Sequence, residues 1–379
     1  MPTSSTPTAT RTATRTTARH APRHRPDAPV HVVPGPTGHG VAVYARQLAA
    51  ELGATVVDDE QQVPRDASSA HLHVTDRMWG ASPEQAAQRV VALCGQRPTT
   101  LTLHDLPQPH DGRTLHPRRR QAYAAMARAA TGVVVSSHHE RRLLDAVLAG
   151  GPDGGPDGGP DGGPDGGPDV EVVPLPCVRP NGPAPRPRVH SPRPDGRRTL
   201  ALAGWFYPGK GHLPALGAAA AAQRRGHTVD VLVLGRPAPG HEQDATALVE
   251  RARRIGVRLE VTGWLEDDDL HAALRSVDVP FAGHRNVSAS GSVNSWLAAG
   301  RRPLVRRGPY FEEMARLRPG TLRLTGIGSL AGAVVEALED PASTWLAPGV
   351  GVGHDLGDAA RAYREFWERV LAPDRERVA

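Results

Sequence analysis

The sequence is poor in several things that would each place it in a class. It has 2 cysteines, Cys94 and Cys177, far apart and in apolar surroundings. A disulfide framework or a thiolate metal site needs more, so the chain suits a reducing cytosol. Aromatic residues are 4% of it, which leaves few stacking surfaces for bases, and no nucleic-acid-binding signature appears. No run approaches the roughly 18 consecutive apolar residues that span a bilayer. Lysine is scarcest of all. Lys210 is the sole lysine among 45 Lys+Arg residues.

Against those 45 bases stand 40 acids, a formal net charge of +5. Much of the excess is arginine between Arg11 and Arg25, so the remainder is nearly neutral and lacks the basic face of a nucleic-acid binder. Residues 1–29 form a basic tail rich in Thr, Ala, Arg and Pro, with no acid before Asp27 and no apolar core for a secretory signal. Such composition suits a disordered tail, with an organelle transit peptide as the other reading. The 18 histidines are scattered; His138-His139 and His71-x-His73 each lack a third ligand at useful spacing. No metal site is expected.

At 379 residues the chain exceeds one ordinary core, and two domains are expected. From Val30 the pattern is strand, glycine-rich turn, helix: Val30–Val33, then Gly35 to Gly40, then Val41–Leu52 ending at Gly53. That opens a βαβ unit, although the turn is not G-x-G-x-x-G, so a dinucleotide cofactor is not indicated. Strands follow at His71–Val74, Thr99–Leu103, Gly132–Ser137 and Val170–Pro176. Helices alternate with them at Pro83–Leu93 (capped by Ser82), Arg118–Ala130 and Glu140–Leu148. Residues 150–169 are five copies of Gly-Gly-Pro-Asp, a flexible insertion without core-forming side chains, and 179–198 is a Pro/Arg-rich linker.

The second half repeats the alternation from Thr199–Ala203 through Val229–Leu234, Leu259–Thr262, Val277–Phe281 and Arg302–Val305. Its helices are Leu213–Arg225, Gln243–Ile255, Asp267–Arg275 and Val293–Ala299. A final helix, Asp355–Leu371, carries Tyr363, Phe366, Trp367 and Val370 on one face, a packing stripe. Two parallel-sheet α/β domains are expected, at 30–178 and 199–350, with 351–379 as a closing helix and tail.

Four places carry candidate chemistry. His104 ends a strand and is followed by Asp105, where an imidazole can contact a ligand or exchange a proton, or simply bond to its loop. Lys210 lies six residues past Gly204 in a turn entering a helix, where an ammonium can neutralise a phosphate as a point charge. The stretch Arg285 to Gly300 passes from a hydroxyl-rich turn into a helix. Ser288, Ser290, Gly291 and Ser292 there can seat an anion at the helix N-terminus, with Arg285 beside them, and the plain alternative is an ordinary capped helix. Gly38, His39 and Gly40 form a loop where backbone can approach a ligand. The triple Arg118-Arg119-Arg120 reads as a solvated helix face, or as a contact with an anionic membrane.

These loops, in this order, resemble the family-4-type glycosyltransferases of the GT-B fold. Leu101 to Pro107 looks like the strand presenting their active-site histidine, here His104. Gly204 to Gly211 resembles their donor-loop signature. Thr262-Gly263-Trp264 with Asp267 to Leu270 resembles the turn near the nucleotide base. Two departures stand out. The family's arginine after the first donor-loop glycine is Trp205 here. Its Glu-x7-Glu pair falls near Val287 and Ser295, neither of which accepts hydrogen bonds as a carboxylate does.

The resemblance implies two Rossmann-like domains facing a cleft, with the C-terminal helix crossing back to the first. It implies transfer of a hexose from a nucleotide-diphosphate sugar to a glycan, lipid-linked or small-molecule acceptor, with retention and without metal or other cofactor. His104 would be the catalytic residue; Gly204, Lys210, Arg285, Ser288, Ser290, Gly291 and Ser292 would hold the donor; and Gly38 to Gly40 would face sugar or acceptor. The expected location is cytoplasmic, with peripheral contact at the inner membrane face and no nucleic-acid partner. The missing glutamates and Trp205 motivate a rival, a non-catalytic relative that binds a nucleotide or a protein. An epimerase on the same fold is disfavoured, because its acidic constellation is not apparent.

Overall fold

The computed structural model describes residues 28–150, 167–178 and 196–372. The N-terminal tail to Asp27, most of the Gly-Gly-Pro-Asp repeat and most of the linker lie outside the described residues.

The first half runs β1 (Val30–Val32), α1 (Gly40–Leu52), β2 (Val56–Val57), β3 (Ala70–Val74), α2 (Asp76–Trp79), α3 (Pro83–Cys94), β4 (Thr99–Leu103), α4 (Leu115–Ala129), β5 (Gly132–Val135), α5 (His138–Leu148) and β6 (Asp169–Val172). All pairings are parallel, in the order β2-β1-β3-β4-β5-β6. Strands buried on both faces read as continuous apolar runs, as Gly132–Val135 does, so they were legible without alternation. The helix starts follow their caps. Ser82 Oγ accepts from Gln85 N at 3.3 Å, and Ser137 Oγ from Glu140 N at 3.0 Å. Strand β6 begins at Asp169, so the last residue expected in the flexible insertion belongs to the sheet, paired with Gly132.

The second half runs β7 (Arg198–Ala203), α6 (His212–Gln223), β8 (Val229–Leu234), α7 (Glu242–Arg254), β9 (Leu259–Val261), α8 (Asp267–Ser276), β10 (Val279–Ala282), α9 (Gly291–Ala298), β11 (Leu304–Arg306), α10 (Pro309–Leu317), β12 (Arg323–Thr325) and α11 (Leu330–Glu339). Its sheet, also parallel, is ordered β12-β11-β10-β7-β8-β9, the strand order of a doubly wound dinucleotide-type domain. Each sheet has its own buried core.

Helix α12 (Leu356–Val370) then returns to the first sheet. Tyr363, Phe366, Trp367 and Val370 are buried there with Tyr44, Leu48, Val134 and Val173. Trp367 Nε1 donates to Thr100 Oγ1 at 3.1 Å, and Tyr363 OH lies 2.7 Å from Thr102 Oγ1. Burying one large apolar side chain is worth about 1.5–3 kcal/mol, so this stripe alone anchors the crossover. The domains also meet directly. Glu313 on α10 accepts from His138 N at 2.6 Å and His139 N at 2.8 Å, capping α5 from the other domain. Arg318 and Asn294 bond the Leu175 carbonyl at 2.7 and 3.3 Å.

One residue works against the core. His31 in β1 is fully buried, neither ring nitrogen finds a hydrogen bond, and burial holds its pKa down to about 3. An unsatisfied buried polar group costs about 1–3 kcal/mol. Replacing His31 by Leu should therefore raise stability by about that amount in urea unfolding at pH 7. A destabilised variant would mean that the ring has a favourable role in the core.

Candidate active site

In the second sheet the strand order reverses between β7 and β10, and such a reversal opens a crevice at the carboxyl ends of the strands. The loops after those two strands press together. Arg285 N donates to Gly209 O at 2.8 Å, and a Cβ on Gly211 would lie 2.6 Å from Gly283 Cα. Gly211 also has φ +111°, so both backbone shape and space require glycine there.

Gly204 is the centre of this crevice. Its φ is +88°, and a Cβ there would stand 2.8 Å from Lys210 Nζ and 3.7 Å from the Ser292 side chain. The amine and the start of α9 thus converge on one backbone point. Lys210 is 5% exposed, its Nζ lies 5.4 Å from the centre of the Tyr207 ring, and among the described residues no carboxylate pairs with it. Burial lowers its pKa to about 7. Its neighbours His212 and His284 are neutral, each pushed down to about 3, first by burial and then by the Lys210 charge.

Helix α9 meets this amine with its N-terminus. Ser290 is the N-cap: its Oγ accepts from Val293 N at 3.4 Å and lies 3.3 Å from Ser292 Oγ, while its own N–H donates to Tyr310 OH at 3.1 Å. The amides of Gly291 and Ser292 bond to nothing among the described residues. A buried cation, two free amides and a helix dipole end share one seat, which is the chemistry of a phosphate or diphosphate site.

Two residues grouped with this seat from sequence are placed elsewhere. Ser288 is buried against the other domain, where its hydroxyl donates to the Glu140 carboxylate and accepts from Leu106 N at 3.2 Å. Arg285 points an exposed side chain outward and makes no ion pair among the described residues. Val287 packs against the core near Tyr310 and Phe311, and Ser295 Oγ donates to Gly291 O at 3.3 Å, so no carboxylate stands at either position.

Across the cleft, His104 ends β4 with 5% exposure, and burial, helped by nearby His39, lowers its pKa to about 3. The ring is therefore neutral near pH 7. Tyr123 OH donates to the His104 carbonyl at 2.9 Å. Asp105, the next residue, has φ +50°, in the left-handed region that Asp enters more readily than most non-glycine residues. It is held by Arg119, which bonds the Asp105 carbonyl at 2.6 Å and pairs with Asp76, Asp105 and Asp111 at 3.1, 3.0 and 2.7 Å. Arg119 is 4% exposed, which corrects the reading of the arginine triple as a solvated face. Arg118 pairs with Glu84 and Arg120 with the Ala146 carbonyl, so the triple is not one free basic patch.

His39 caps α1, its Nδ1 accepting from Val41 N at 3.3 Å. Gly38 faces the second domain, where a Cβ would lie 3.2 Å from the Trp264 ring. Arg236 is sandwiched there, 4.6 Å from the centre of Trp205 and 5.1 Å from that of Trp264. Sequence reasoning missed Arg236 and Glu140. Glu140 had a signal, the Ser-x-x-Glu capping box from Ser137. Its link to Ser288, 148 residues away, had none.

No protein-family model matches the sequence, and no curated protein does. Solved structures do match. HepE from Anabaena, in complex with UDP and glucose, aligns with a TM-score of 0.63 at 12% identity, over 91% of this chain and 99% of that one. Sucrose-phosphate synthase from Thermosynechococcus elongatus gives 0.59 at 15%, over 91% and 94%. A UDP-forming trehalose-phosphate synthase from Burkholderia xenovorans, in complex with glucose-6-phosphate, gives 0.56 at 14%, over 86% and 78%. The fold is GT-B. At these identities the likeness carries the two-domain arrangement and not the chemistry.

Within the GT-B cleft, Glu140 carries a distinct pH signature. Burial raises its pKa to about 7 from the ordinary carboxyl value of 4.5, outweighing the hydrogen bonds from Ser288 and Ser136. Between those values the folded state holds a proton that the unfolded chain has lost, so this group's contribution to stability falls as pH rises from about 4.5 to about 7. The buried histidines act oppositely, because their lowered values make stability rise with pH up to about 6.5. The Glu140 contribution is therefore read as a difference. Relative to wild type, Glu140→Gln should gain stability steadily over that pH range in denaturant titrations; a pH-independent difference would contradict the shifted carboxyl.

Proposed function

We propose that this protein is a glycosyltransferase that moves a hexose from a nucleotide-diphosphate sugar to a glycan, lipid-linked or small-molecule acceptor. One observation carries the reading. The chain's sole lysine is buried at the β7–β10 switch point, with no carboxylate partner among the described residues, beside the open N-terminus of α9. An uncompensated buried amine is costly, and a bound diphosphate would remove that cost. Lys210, Gly204 and the amides of Gly291 and Ser292, with Ser290 as cap, would hold the diphosphate. They would stabilise it as a leaving group through preorganised charge and dipoles rather than a metal ion.

His104 would face the transferred sugar from the first domain, with the loop Gly38 to Gly40 at the mouth of the cleft. Retention follows from the resemblance to family-4-type enzymes. Arg285 and Ser288 would act at one remove, Ser288 by joining the domains and Arg285 at the rim. Among the described residues no helix is long and apolar enough to cross a membrane. A lipid-linked acceptor would instead bring a cytoplasmic protein to the inner membrane face.

The second reading, a non-catalytic nucleotide-binding relative, is favoured by the absence of carboxylates at Val287 and Ser295. A panel of nucleotide sugars separates the two, followed by calorimetry and by release of nucleoside diphosphate over a set of acceptors. Turnover is expected, with Lys210→Ala losing about 100-fold or more in kcat/KM, as removal of a key electrostatic group does. Binding without turnover would support the second reading, and no nucleotide binding would overturn both.

A further inference from the structure

His104 belongs to a buried row of imidazoles: His31 on β1, His71 and His73 on β3, and His104 at the end of β4. Among the described residues they do not converge as metal ligands would. What they share is contact, and one contact has a direction. His73 Nδ1 lies 3.4 Å from His104 Nε2, and the two rings are within 18° of parallel with centroids 5.7 Å apart. A centroid separation that large for that nitrogen gap leaves little beyond the two ring radii. The rings are therefore edge to edge, in the arrangement of an in-line N–H···N bond rather than a face-to-face stack.

One of the two rings must donate, and the surroundings decide which. His73 is fully buried, and its other nitrogen, Nε2, meets no partner. If Nε2 carried the proton, a buried N–H would be left without an acceptor, which proteins avoid more strictly than a bare lone pair. Placing the proton on Nδ1 leaves only a lone pair unpaired and turns Nδ1 towards His104 as a donor. His104 then accepts at Nε2, so its own proton sits on Nδ1. That nitrogen has no partner among the described residues and is the one free to meet a ligand. Tyr44, edge-on to both rings with centroids 5.6 and 6.0 Å away, limits their rotation.

We propose that His73 is a positioning residue that locks His104 as its Nδ1–H tautomer, so that the cleft is offered a neutral hydrogen-bond donor and not a base. For what His104 meets, a hydroxyl or phosphoryl oxygen of the sugar donor, this rests on the glycosyl-transfer reading; the tautomer itself does not. Burial keeps both rings neutral at pH 7, as the bond requires.

Two-bond nitrogen–proton correlation spectra of the full-length 15N-labelled protein at pH 7, with the His104 signals assigned from His104→Gln, test this directly. The expected result is a protonated Nδ1 and a bare Nε2 on His104. His73→Asn places an amide N–H where Nδ1 stood and should keep that pattern, whereas His73→Asp puts an acceptor there and should place a proton on His104 Nε2. In the same variants kcat for donor turnover should fall about tenfold for Asp, the worth of one hydrogen bond, and little for Asn. An Nε2–H or doubly protonated His104 in the wild type overturns the proposal, as does an Nε2 left bare by His73→Asp. If either variant fails to fold, the wild-type spectrum still decides. The expected tautomer without turnover of any nucleotide sugar would leave this assignment standing and sink the enzymatic reading instead.

Discussion

The Lys210 amine is buried without a counter-charge among the described residues, and much of the second domain is arranged around that fact. Two loops from strands separated by the switch point are packed glycine to glycine at Gly211 and Gly283. Gly204 takes a left-handed conformation with no side chain, which leaves room for the amine above it. His212 and His284 stay neutral beside the charge. These features are costly by themselves and sensible in a site that receives an anion, because an anion would favour the amine's charged form and occupy the free amides of α9.

The second constraint is the joint between the domains. Glu140 accepts from Ser136 N, just before its own helix, with one oxygen and from the Ser288 hydroxyl with the other, while Ser288 in turn accepts from Leu106 N. Leu106 lies two residues beyond His104. The turn that leads into α9 is thus tied to the loop that follows the candidate catalytic histidine. Glu313 capping α5, and Arg318 and Asn294 on the Leu175 carbonyl, hold the same edge closed. The bonds that join the two domains therefore also hold the loops that carry the candidate site residues.

Much of this was readable in the residues. Parallel strands are buried on both sides, so Val133 to Val135 or Val229 to Leu234 declare themselves as apolar runs, and Ser82, Ser137 and Ser290 mark helix starts by their chemistry. Among the elements not anticipated, β2, α2 and β12 are two to four residues long and too short to show a period, while α10 and α11 are of ordinary helical length. Helix α11 carries Gly332 in its first turn, which blunts its pattern. Lys210 stood out by rarity. Arg119 did not, because in sequence it looks like its exposed neighbours, and only the fold brings Asp76, Asp105 and Asp111 around it. Ser288 was misplaced for the same reason: a hydroxyl's partner is set by tertiary contact, and local pattern cannot name it.

On the glycosyl-transfer reading Lys210, its charge weakened by burial, takes a diphosphate as its counter-charge. Its pKa of about 7 makes this measurable without any acceptor. Calorimetric titration of UDP, or of the nucleoside diphosphate that binds best, in buffers of different ionisation enthalpy at pH 8 counts the protons taken up on binding. Because the bound anion raises the amine's pKa, uptake should approach one proton per ligand in the wild type and vanish in Lys210→Met. Tight binding with no proton uptake, or the same uptake in the variant, would contradict the account.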